Sequence, residues 1–155
     1  MNETQKLYNV PVYKISLVRD GKLGCAQRQI RSSFDAITLV RQYLAGADRE
    51  HFVVLLLDAK NKVIGINTVS TGSLSASVVH PREVFKPAIV SNANALVCAH
   101  NHPSGDPQPS NEDRAITRRL VAAGTLLGIA VLDHVILGDG TENAFSFADQ
   151  GILNS

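Results

Sequence analysis

Apolar and polar positions change rhythm several times along this chain, and each rhythm predicts an element. His51-Phe52-Val53-Val54-Leu55-Leu56-Leu57-Asp58 is a nearly unbroken apolar run, the pattern of a strand buried on both faces and central in a sheet. Ala59-Lys60-Asn61-Lys62 turns it into a second strand, Val63 to Val69. Thr71 to Ser77 is small and polar, which fits an irregular strand or a sheet edge. Ala95-Leu96-Val97-Cys98-Ala99 predicts the third main strand, Ile129 to Leu137 another, and Phe145-Ser146-Phe147 a last short one. Between them the apolar spacing lengthens to three and four. Ser32 or Ser33 caps a helix from Phe34 to about Ala45, with Ile37, Val40, Tyr43 and Leu44 inward. Pro81 opens a second, running to about Asn94 with Val84, Phe85, Ala88 and Ile89 inward. Ser110 caps a third, which buries Ile116, Leu120, Ala123 and Leu127 and ends near Gly128. Ahead of all of these, Val12 to Val18, the turn Asp20-Gly21 and Leu23 to Ile30 predict a β-hairpin within residues 7–31.

Strands interleaved with helices give an α/β fold, one mixed sheet with helices on both faces. Its 155 residues are a single-domain length. Residues 1–33 read as a hairpin extension packed on the domain formed by 34–155. Composition adds exclusions. A net charge of +1 gives no global electrostatic case for nucleic acid. The polar start, Met1 to Lys6, lacks the apolar core of a signal peptide, and no apolar run approaches membrane-spanning length. Cys25 and Cys98 offer no disulfide framework, so a cytoplasmic protein is expected. Oligomeric state is not legible.

The candidate chemistry lies where the third strand ends, in His100-Asn101-His102-Pro103 and the polar loop leading to Ser110 and Asp113. Strand side chains alternate faces, so His100 and His102 project to the same side. Asp113 falls in the first turn of the following helix, near enough to join them. Two imidazoles and one carboxylate, with no fourth protein ligand, make the open coordination of a catalytic zinc. Ser110 and Asp113 also fit a capping box, a role compatible with the other. Neither a zinc deaminase pattern nor a helical His-Glu-x-x-His is present. Arg114, Arg118 and Arg119 read as a solvated helix face.

His-x-His-Pro, six residues, Ser, two residues, Asp resembles the JAMM motif of the MPN/JAB metallopeptidases. The stretch from Glu50 to Gly140, about three fifths of the chain, resembles the RadC family within that group. The matching pieces are Glu50 to Asp58, Val79-His80-Pro81-Arg82-Glu83-Val84-Phe85, His100 to Asp113, and Leu132-Asp133-His134-Val135-Ile136. The resemblance implies a three-layer α-β-α fold of cytidine-deaminase-like architecture. It also implies a Zn2+ held by His100, His102 and Asp113, and it singles out Glu50, otherwise a surface charge by its neighbours, as the catalytic glutamate. In that scheme Glu50 handles the proton of a zinc-activated water and Ser110 donates to the oxyanion. The reaction is then amide hydrolysis of a peptide or protein substrate, a class that includes modifier-conjugated proteins. A DNA repair or recombination factor is the alternative that the family's traditional name suggests. Longer relatives carry a helix-hairpin-helix region with no counterpart here. Roles for His80, His134 and Cys98 are not assigned.

Overall fold

The computed structural model describes residues 3–72 and 79–154. In chain order the elements are α1 (Ser33–Tyr43), β1 (His51–Leu57), β2 (Val63–Thr71), α2 (Pro81–Val90), β3 (Ala95–His102), α3 (Asn111–Leu127), β4 (Ala130–Gly138) and β5 (Ala144–Ser146). The strands form one mixed sheet in the order β2-β1-β3-β4-β5. Strand β1 lies antiparallel to β2 and β3, β3 parallel to β4, and β4 antiparallel to β5. A parallel pair needs a long crossover, and α3 supplies it.

Alternation within β1 and β3 divides the core. Phe52, Val54, Leu56, Leu96 and Cys98 face α2 and α3, meeting Val84, Phe85, Ala88, Ile116 and Leu120. Val53, Leu55, Leu57, Val97 and Ala99 face α1, meeting Ala36, Leu39 and Val40. Helices therefore cover both faces, giving the three-layer α/β arrangement that the resemblance implies. Gly124 is needed for this packing, because a Cβ there would lie 2.4 Å from the Ile129 carbonyl oxygen. Among the described residues no helix is long and apolar enough to cross a membrane.

Some expectations change. The hairpin within residues 7–31 is not formed: residues 3–25 carry no strand pairing, and Val12 and Tyr13 are 95% and 81% exposed. An isolated two-stranded ribbon is marginal in water. Only the end of that region docks, through a bridge from Gln29 to Lys62 and a bond from the Arg28 Nε to the Val63 carbonyl. Helix α2 stops at Val90 rather than near Asn94, because Asn92 turns left-handed at φ 57°. Ile89 and Leu127, expected inside, are 53% and 48% exposed along an open groove between α2 and α3. Of the irregular strand expected over Thr71 to Ser77, Thr71 ends β2, and residues 73–77 lie outside the described residues.

Candidate metal centre

His100 and His102 sit at the C-terminal end of β3, one fully buried and the other partly so, on the face that carries α3. Asp113 reaches them from the first turn of α3. The His100 Nε2 lies 3.0 Å from the His102 Nε2 and 3.2 Å from the Asp113 Oδ1. The His102 Nε2 lies 3.2 Å from the Asp113 Oδ2. These three side chains form the converging group that can hold a metal ion among the described residues. A backbone carbonyl can only accept, so the bond between the His102 Nδ1 and the Asp106 carbonyl (2.8 Å) places that ring's hydrogen on Nδ1. Neutral His102 therefore turns a bare Nε2 toward the cluster.

Both roles read for Ser110 and Asp113 coexist in the same residues. The Ser110 Oγ accepts from the Asp113 N–H at 3.1 Å, and the Asp113 Oδ2 accepts from the Ser110 N–H at 2.8 Å. The box pins the carboxylate at the positive end of α3. Burial pushes the Asp113 carboxyl upward, but hydrogen bonds from His100 and His102 outweigh it and hold the group well below the usual carboxylate range. The hydrogen bond to Asp113 raises His102 above its ordinary value against the opposing effect of burial, with smaller upward contributions from the Asp106 carbonyl and Glu50. Metal needs the neutral ring, so a proton on His102 competes with it. Apparent metal affinity is therefore expected to fall with acidification, by about tenfold per pH unit once the pH lies below the raised pKa of His102. Competition against a chelating indicator from pH 8 to pH 5 checks this, and a flat profile would contradict it.

Glu50 stands immediately before β1. The β1–β3 register pairs Phe52 with His100, and continuing it by two residues places Glu50 opposite His102, on the same face. Glu50, His102, Pro103, Ser104, Ser110, Glu112 and Asp113 line one open cleft of about 300 Å³. Four of the five predicted site residues thus line one cleft, and the fifth, His100, is buried against two of them, at the His102 Nε2 and the Asp113 Oδ1.

Asn101 was missed in the sequence. It points to the opposite face from its histidine neighbours and is fully buried. Its Nδ2 donates to the Arg49 carbonyl at 3.0 Å and to the Asp139 Oδ2 at 2.7 Å, while its Oδ1 accepts from the His51 N–H at 2.8 Å. Asn101 thereby grips the backbone on both sides of Glu50. The available signal was an amide predicted inside a central strand, where a buried polar group must find partners. His80 is the N-cap of α2, its Nδ1 accepting from the Arg82 N–H at 3.1 Å. Cys98 belongs to the core below the histidines, where burial pushes its thiol up, with Asp133 adding to the shift.

The family profile described as the RadC-like JAB domain matches residues 30–152. A UPF0758 protein of Caldanaerobacter subterraneus is 55% identical over 111 residues, 72% of this chain and 48% of the relative. One from Rubrobacter xylanophilus is 55% identical over 124 residues, 80% of this chain and 53% of the relative. One from Symbiobacterium thermophilum is 60% identical over 104 residues, 67% and 44% respectively. Matches to these relatives span about half of their length.

Proposed function

We propose that this chain, which belongs to the RadC-like JAB domain family, is a zinc-dependent hydrolase of an amide bond, either peptide or isopeptide. The convergence of two imidazole Nε2 atoms and a carboxylate beside a cleft that Glu50 and Ser110 also line supports this best. Their chemistry fits zinc. Tetrahedral bonds of about 2.0–2.1 Å separate ligand atoms by about 3.3 Å, and the three contacts here are 3.0, 3.2 and 3.2 Å.

His100, His102 and Asp113 would hold the ion and leave one position open. Zinc, when bound, lowers the pKa of water from about 15.7 toward 7 and polarises a carbonyl oxygen. Glu50 then takes the proton of the attacking water on its carboxylate and returns it to the nitrogen of the leaving amine. Ser110 uses its oxygen to accept from the Asp113 N–H, which leaves its own hydrogen to donate to the developing oxyanion. One such donor is worth about 3 kcal/mol of barrier. The capping box therefore orients the oxyanion donor and the third ligand together. A peptide or protein, including one joined to a modifier through lysine, is the substrate class.

The purified chain, stripped and reloaded with zinc, is expected to hold about one ion per molecule by elemental analysis and to cleave members of a peptide and isopeptide panel. Failure to take up zinc after reloading would overturn the proposal.

A further inference from the structure

His134 lies on β4 behind His100, wholly buried, with Phe147 stacked on it at 5.1 Å and the edge of Phe52 at 5.4 Å. Both of its ring nitrogens are engaged. Its Nε2 is 2.8 Å from the His100 Nδ1, and its Nδ1 is 2.6 Å from the Thr117 Oγ1. That hydroxyl also lies 2.7 Å from the Asp113 backbone carbonyl. The chain of bonds runs from one proposed metal ligand, through His134 and Thr117, to the residue that supplies another.

Donor and acceptor rules allow two hydrogen arrangements along this chain. If the His100 Nε2 gives its lone pair to a metal, the hydrogen of that ring is on Nδ1 and is donated to the His134 Nε2. His134 then carries its single hydrogen on Nδ1 and donates it to the Thr117 Oγ1, and the Thr117 hydrogen goes to the Asp113 carbonyl. Without a metal, the His100 Nε2–H can donate to the Asp113 Oδ1, 3.2 Å away. The two bonds to His134 then reverse: its Nε2–H donates to the His100 Nδ1, and the Thr117 hydroxyl turns from the Asp113 carbonyl to donate to the His134 Nδ1. Both ring nitrogens of His134 are satisfied either way, the metal-free arrangement giving up the Thr117 bond to the Asp113 carbonyl, and neither arrangement adds a proton. The geometry points to His134 as a positioning residue that sets the metal-binding tautomer of His100, its own hydrogen moving from Nε2 to Nδ1 when a divalent metal binds. The role rests on the metal reading above. Stacking against Phe147 holds the imidazole in place, and Asp133 braces that ring by accepting from the Ser146 hydroxyl at 2.6 Å and the Ala148 N–H at 3.0 Å.

Long-range proton–nitrogen correlation spectra of histidine-labelled full chain test this directly. In chelator His134 is expected as the Nε2–H form, and with one equivalent of zinc as the neutral Nδ1–H form. His134→Phe keeps a ring between Phe52 and Phe147 but offers no acceptor. It is expected to bind zinc 10–100-fold more weakly and to alter the visible spectrum of the cobalt-loaded protein. His134→Gln, which retains an acceptor and a donor, is expected to recover part of that affinity. If wild-type protein binds no metal, the metal reading itself fails. If it binds zinc while His134 keeps one tautomer throughout, or if folded His134→Phe binds zinc as tightly as wild type, the positioning role is overturned. The wild-type spectra decide the matter even where a variant fails to fold.

Discussion

Glu50→Gln is expected to stop hydrolysis while the metal stays in place. The amide is nearly the size of the carboxylate, but it cannot accept a proton, so water would be positioned without a base. General base catalysis is worth about 10²–10⁴-fold in rate. Glu50 also serves the leaving amine in the proposed mechanism, so the upper part of that range is expected. Its backbone is held on both sides by Asn101, at the Arg49 carbonyl and the His51 N–H, so the substitution should not loosen the start of β1. Zinc content by elemental analysis and turnover on a verified substrate form the test. Wild-type turnover in the variant would remove Glu50 from the mechanism even with zinc bound.

His102→Ala is expected to lose metal and stability together. His102 supplies one of the three converging donors, and its orientation is fixed from behind by the Asp106 carbonyl. A metal that binds the folded chain alone stabilises it by about 2.7 kcal/mol when present at a hundredfold excess over its Kd. For a chain of this size that amounts to roughly 5–10 °C in Tm. The variant should forfeit this difference in zinc, whereas in chelator the two proteins should melt within a few degrees of each other. Equal zinc content and equal melting in zinc would refute the ligand assignment. Paired with Glu50→Gln, this variant separates proton transfer from metal binding.

Much of the fold was legible because its interior strands are extreme. The uninterrupted apolar run at Phe52 to Leu57 cannot face water on either side, so β1 had to be internal, and it lies between β2 and β3. Ser110 with Asp113, and Gly128 with φ 73°, mark the ends of α3 through local cap geometry that residue types specify. The hairpin misled because alternation and Asp20-Gly21 describe how a ribbon would turn, not whether anything packs against it. Ile89 and Leu127 misled for a related reason: periodicity names a helix face, but which part of that face another element covers is a tertiary matter.

The candidate centre divides along the same line. By itself the sequence determined that His100 and His102 share a strand face and that Asp113 opens the next helix, because alternation and capping act over a few residues. Only the tertiary structure decided what crosses the sheet. The β1–β3 register sets Glu50 opposite His102, Asn101 clamps the backbone beside it, and β4 delivers His134 to the back of His100. Glu50 and His102 are 52 positions apart, and His100 and His134 are 34 apart. Local pattern carries no information over such distances; strand pairing does, because one register brings every opposite pair of side chains together at once.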